Sequence, residues 1–266
     1  MTAPSLPDRL GDDLSHPIHA ELLTLVGRFR FATTRQLARV TRPAYRSSRS
    51  ALRQTARHLV SLNRAGLVSH LERRVGGWQG GSQAAVWALT TRGHRTLTGS
   101  RSRQRPQLTS TTFLAHLLAV TETQVLITET VRDLPDTTAQ VTGEPHSWRR
   151  FLGPHGQPVS VRPDLHLTVK SEQYRDDYFL EIDRATENPA RVIATCWTYQ
   201  RYQRTGTEQQ TSGAFPVVVW LVPSTRRREQ LRRHLGAEPH LRADLFLVIT
   251  PDELPELLRS GPPTTT

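Results

Sequence analysis

The chain has 266 residues, 36% of them hydrophobic and 6% aromatic, and its 35 Lys and Arg against 24 Asp and Glu give a formal net charge of +11. With a mean hydropathy of −0.49 and no strictly apolar run longer than six residues, as in VVVWLV at 217–222, it has no membrane span, which needs about 20 apolar residues. A single cysteine excludes an internal disulfide and a multi-cysteine zinc site.

The positive charge sits in one half: residues 1–105 hold 18 Arg against 5 acids, whereas residues 106–266 hold 17 Arg and Lys against 19 acids. So localised an excess is the footprint of a protein that meets phosphate backbones. An Arg-rich codon usage, with Lys170 the only lysine, accounts for the choice of arginine but not for its placement.

The start, MTAPSLPDRLGDDLSHP, carries Pro and Asp where a secretory leader has an apolar segment, so a cytoplasmic location is expected and residues 1–16 read as a flexible terminus. A first helix follows Pro17 through IHAELLTLVGRF, with Leu22, Leu23, Val26 and Phe29 at helical spacing. A second, TTRQLARV, takes Thr33 or Thr34 as its N-cap and carries Arg35. The third spans 47–65 and stops at Gly66. At about 100° per residue, Arg46, Arg49, Arg53, Arg57 and Arg64 fall within an arc of about 80°, and Leu52, Thr55, Leu59 and Leu62 are placed on the opposite, core side. LVSHLERRV, the turn GGWQGGS and AAVWALTTRGHRTL then read as a hairpin.

Residues 99–110 are polar, basic and without apolar periodicity, a linker. Beyond it an amphipathic helix over 111–132 presents Phe113, Leu114, Leu117, Leu118, Thr121 and Val125 on one side. Strand-like runs follow at TAQVT, QPVSVRPDLHLTV and DYFLEID, then a helix from Pro189 through ARVIATCWTYQRYQ. FPVVVWLVP reads as a strand buried on both faces, TRRREQLRRHL as an Arg-rich helix, and DLFLVIT as a last strand, in the order αβββαβαβ. Arg226, Arg227, Arg228, Arg232 and Arg233 form a second basic cluster, equally a DNA path or a solvated helix face. Cys196 is expected to be a small buried side chain. Tyr199 and Tyr202 would suit a covalent tyrosyl–DNA link, but no His-hydrophobic-His triplet accompanies them and core packing is the expected role. Neither His116 nor His234 has metal-ligand spacing.

Three helices and a hairpin over 17–98, with GLVSHLERR leading to WALTTRGHRTL, resemble the winged helix-turn-helix of bacterial DNA-binding proteins. The resemblance implies that the third helix enters the major groove and the hairpin loop touches adjacent backbone. Arg35, Arg46, Arg49, Arg53, Arg57, Arg73, Arg74 and Trp78 then become the DNA-binding candidates, with double-stranded DNA as the partner.

The stretch EIDRATE, 181–187, sets three carboxylates and an arginine directly after an apolar strand. Together with RPD upstream and the order of elements, it resembles the restriction-endonuclease-like, PD-(D/E)xK nuclease core. The matching positions are Asp164 and Glu181, 17 residues apart, whose carboxylates the resemblance makes ligands of Mg²⁺ or Mn²⁺, with Asp183 a third candidate catalytic residue on the face of Glu181. The motif's lysine falls where this chain has Asp183. Arg184, Arg191 or Lys170 could stand near, but arginine stays protonated and cannot act as a base. Equally, these acids could be a solvated strand end or ion pairs with Arg162 or Arg184.

From about 20 to 235 the chain also resembles the replication-relaxation proteins of plasmids and integrative elements of Gram-positive bacteria, through FLAHLLAV, RPDLHL, FLEIDRATE and the aromatic helix ending YQRY. It departs from them near Thr195, where a basic residue is expected. The expected fold is α+β: a winged helix-turn-helix over 17–98, a linker, then over 111–259 an α/β restriction-endonuclease-like domain with a mixed central sheet, and a flexible tail at 260–266. Three functions follow: a DNA-binding replication, relaxation or transfer protein of a mobile element with a degenerate nuclease domain; a Mg²⁺-dependent nickase using Asp164 and Glu181; or a repressor with a dimerising second domain. The expected partners are DNA, a second copy and replication or transfer proteins, and no membrane.

Overall fold

A computed structural model describes residues 16–71, 85–99, 110–172 and 174–262. It is a mixed α+β structure divided into two compact units, residues 1–125 and 126–266.

In the first unit, helix α1 (Pro17–Phe29) follows an N-cap at His16 and buries Leu22, Leu23, Val26 and Phe29. After β1 (Ala32–Thr33), α2 (Thr34–Val40) opens on a capping box in which Thr33 and Gln36 satisfy each other's backbone N–H. A 3-10 turn at Arg42–Ala44 leads to α3 (Ser48–Arg64), capped reciprocally by Ser47 and Ser50. Gly66, at φ 70°, ends it in the left-handed region. Strands β2 (Val68–Leu71) and β3 (Val86–Leu89) pair antiparallel, and β1 pairs with β3, giving a sheet of order β1-β3-β2. The hairpin is therefore present, but its tip, with Arg73, Arg74 and Trp78, lies outside the described residues.

Two expectations need correction here. TTRGHRTL is not strand: β3 ends at Leu89 and α4 (Thr91–Thr98) begins with the Thr90 hydroxyl accepting from Gly93 N–H. The core stripe of α3 is Ala51, Thr55, Leu59 and Leu62, and Leu52 stands 40% exposed, because at about 100° per residue it falls just outside the edge of the arc those four occupy.

Helix α5 (Thr111–Arg132) has the span expected of it, but the division between units falls inside it. Its first residues pack on the first unit, where Leu114 and Leu117 meet Phe31, Val86 and Ala88. Thr121 donates to the Phe31 carbonyl (2.8 Å) and Gln36 to the Leu118 carbonyl (3.0 Å). The reason lies in β3: Trp87 and Leu89 face the main core, so Val86 and Ala88 on its other side need a cover of their own.

The second unit is built on a five-stranded mixed sheet. Strands β4 (Thr138–Gly143), β7 (Leu165–Lys170) and β8 (Arg175–Ile182) run antiparallel, while β9 (Val217–Leu221) and β10 (Phe246–Ile249) join β8 in parallel. Between β4 and β7 stands a separate ribbon of β5 (Arg149–Leu152) and β6 (Pro158–Val161). The run QPVSVRPDLHLTV is therefore two strands, broken around Pro163, which has no N–H to give a ladder and whose carbonyl accepts from the buried Ser147 hydroxyl (2.7 Å).

Helices α6 (Pro189–Arg204), α7 (Thr207–Ser212), α8 (Thr225–Gly236) and α9 (Leu254–Ser260) complete the unit. Val192, Cys196, Tyr199 and Tyr202 of α6 pack with Phe179, Val218 and Trp220 of the sheet. No helix among the described residues is long and apolar enough to cross a membrane.

Candidate functional site

Two surfaces collect the residues singled out above, one in each unit. On the first unit, Arg49, Arg53, Arg57 and Arg64 are exposed along α3, as are Arg35 on α2 and Arg46, which the structure places before the Ser47 cap and so off the helix. No carboxylate among the described residues pairs with any of the six. Arginines elsewhere in the unit are used differently: Arg39 pairs with Glu122 and Arg28 donates to Gln124 (3.2 Å). The turn into α3 is braced by Arg42, which donates to the carbonyls of Tyr45 and Arg46.

In the second unit, the last register pair of β7 and β8 is Leu165 with Leu180, so one further step of the antiparallel ladder sets Asp164 opposite Glu181. Asp164 is 9% exposed, and its Oδ2 accepts from the Ile182 N–H at 2.7 Å. Glu181 Oε1 accepts from the Tyr199 hydroxyl at 2.6 Å. Burial, then the Asp164 charge, pushes the Glu181 carboxyl well above its ordinary 4.5, with Glu187 and Glu144 adding to the rise and the Tyr199 hydroxyl opposing it. Burial likewise raises the Tyr199 phenol, which stays an un-ionised donor.

Asp183 does not join this pair. It lies one residue beyond β8, where its N–H donates to the Leu221 carbonyl (2.9 Å) and its Oδ2 meets Arg227 Nε at 2.6 Å. Arg227 also donates to the Glu187 carbonyl (2.7 Å), so one guanidinium clamps the segment that follows Glu181. Arg227 is 6% exposed, which removes it from the basic cluster read as a DNA path or solvated face. Arg228 of that cluster pairs with Glu253 and Arg232 donates to the Val248 carbonyl (2.8 Å); Arg226 and Arg233 are exposed.

Of the cations considered as substitutes for a lysine, only Lys170 is placed far from the pair by the strand register. Lys170 ends β7, about 20 Å from Asp164 at roughly 3.3 Å per residue. Arg191 lies 3.7 Å from Glu187 at the surface, Arg184 is half-buried on the loop after Asp183, and Thr195 donates to the Arg191 carbonyl. Two facing carboxylates suit Mg²⁺, which takes one or two carboxylates and completes its shell with water and substrate phosphate. Among the described residues, no group of three or more His, Cys, Asp or Glu could hold a metal ion by itself.

The ion pair of Arg149 with the buried Glu208 is not marked by the sequence. Tyr202 is buried and donates to Glu208 (2.5 Å), which also receives Arg149 Nε (2.9 Å), and nothing in the spacing of Arg149 and Glu208 marks a pair. Cys196 is buried, and burial pushes its thiol up to about 12, which leaves it inert.

The raised Glu181 carboxyl has a consequence for stability. Its preference for the protonated form contributes stability fully present below the ordinary 4.5 and lost as pH rises through the folded-state value. Glu181→Gln cannot ionise and still offers an oxygen to Tyr199, so its melting temperature is expected to gain on wild type as pH rises from 4.5 towards 8, the two converging in acid. Parallel melting curves across that range would show that Glu181 is not strained if they appeared.

No curated protein and no solved structure matches the chain. The arginine helix from Ser48, the long helix from Thr111, Asp164, EIDRATE and the start of the β9 strand all fall within residues 23–218, which match the replication-relaxation family, and the chain belongs to that family.

Proposed function

We propose that the chain is a DNA-binding protein of a plasmid or integrative mobile element that acts in its replication, relaxation or transfer, with the first unit serving as a winged helix on double-stranded DNA. The observation that carries this reading is the exposed arginine face of α3, which no carboxylate among the described residues neutralises. The order of three helices and a three-stranded sheet supports it, as does the family, whose name speaks of replication and relaxation. Titrating a labelled duplex at several salt concentrations tests it. Each phosphate contact removed lowers the salt slope by about 0.9, so Arg49→Ala/Arg53→Ala/Arg57→Ala together should lower it by roughly 2 to 3 and weaken binding strongly. A slope and affinity equal to wild type would sink the reading.

The opposed carboxylates of Asp164 and Glu181 favour a second reading, a Mg²⁺- or Mn²⁺-dependent nickase of restriction-endonuclease-like fold in which the pair holds the ion against a scissile phosphate. With no lysine at the pair, we favour a second unit that contacts DNA or partners without cutting. Supercoiled plasmid with Mg²⁺ or Mn²⁺ should therefore stay intact with wild type and Glu181→Ala alike. Conversion to the nicked form by wild type, lost in Glu181→Ala, would establish the nickase.

A further inference from the structure

We infer that the apolar row Leu52, Ala56 and Val60 on α3 reads thymine methyl groups in the duplex held by the arginine row beside it. The inference rests on the proposed DNA contact of α3 and names what that contact selects.

Leu52 is 40% exposed and Val60 42% exposed, although both are large aliphatic side chains. Among the described residues only three large hydrophobics stand out so far, and two are on this helix. Leu52, Ala56 and Val60 are spaced i, i+4, i+8, as are Arg49, Arg53 and Arg57, so the two rows run side by side, with Ala56 half-buried between the exposed Leu52 and Val60.

A surface that alternates an unneutralised cation row with a bare apolar row needs a partner with anions at its edges and methyl groups between them. The major groove of DNA has that pattern: phosphates along both rims and, on its floor, the thymine C5-methyl as its apolar feature. A helix with its side chains, about 10–12 Å across, fills a groove about 12 Å wide. Leu52 and Ala56 are about 6 Å apart along the axis, close to two base-pair steps at about 3.4 Å. Leu52, in the N-terminal half of α3, is the better placed, since the first turns of a groove-bound helix meet the bases. Aliphatic side chains can read no donor or acceptor, so a methyl group is what they can distinguish.

The test starts from a random-sequence duplex pool, from which the full-length protein selects its best-bound duplex. That duplex is then compared with a version carrying uracil at every thymine, which differs only by the methyl groups. Wild type should lose about fourfold in affinity for each methyl contacted. Leu52→Ala, a change at an exposed helix position, should bind the thymine duplex more weakly and lose less on the change to uracil. Equal binding of both duplexes by wild type, with Arg53→Ala still weakening both, overturns the methyl readout and leaves the DNA contact standing. A pool that yields no preferred duplex also overturns it. Absence of binding removes the DNA reading itself. If uracil costs nothing and Leu52→Ala instead lowers the sedimenting mass, the row is a contact between copies of the chain.

Discussion

Arg227→Ala is expected to destabilise the second unit by about 3–5 kcal/mol, the cost of leaving a buried carboxylate without its cation. Asp183 is 6% exposed, as is Arg227, and the guanidinium reaches both Asp183 oxygens at 2.6 and 3.4 Å as well as the Glu187 carbonyl. Chemical denaturation would read the loss as a lower midpoint. Arg227→Lys should rescue little, because one ammonium cannot serve the carboxylate and the carbonyl in the same fork geometry. Asp183→Ala/Arg227→Ala should recover part of the loss, since no charge is then left buried. A variant with the wild-type midpoint would mean that the pair is open to water. Because the clamp also holds the segment after Glu181, Arg227→Ala should flatten the pH response expected to separate Glu181→Gln from wild type.

Gly93→Ala is the second large effect, in the first unit. A methyl added there would meet the Leu67 carbonyl oxygen at 1.9 Å and its carbon at 2.9 Å. Both are backbone atoms, so the start of α4 must move off the end of α3 and β2, where the Thr90 hydroxyl donates to the Gly66 carbonyl at 2.6 Å. Overpacking of this kind costs about 3 kcal/mol or more, visible as a lower melting temperature. Gly236→Ala is the control: it is helical with nothing within 4 Å of the added atom, and should stabilise by up to about 1 kcal/mol. Equal melting temperatures for the two variants would remove the steric account of Gly93.

The local elements were legible because their signals are local. Pro17, the Thr33 cap and Gly66 mark helix ends through bonds that close within a few residues. The apolar periodicity of 111–132 likewise needs no partner to be read. The ribbon strand RRFL escaped notice because its alternation of burial is carried by Arg, Arg, Phe and Leu rather than by polar against apolar types. The helix at Thr91–Thr98 escaped because the cap Thr90 and the glycine that lets it pack are inconspicuous in a polar run.

The sequence by itself determined the basic first half, the arginine row at four-residue spacing and the presence of acids at 164, 181 and 183, since charge and period are properties of order along the chain. Only the tertiary structure decided what each of these meets. It set Asp164 opposite Glu181 through the β7–β8 register, drew Asp183 to an arginine 44 residues away, and gave the core place on α3 to Ala51 while turning Leu52 outward. It also laid the start of α5 over β3, because a strand with apolar residues on both faces must be covered on both. Such pairings join residues far apart in sequence, where neither spacing nor composition reports distance.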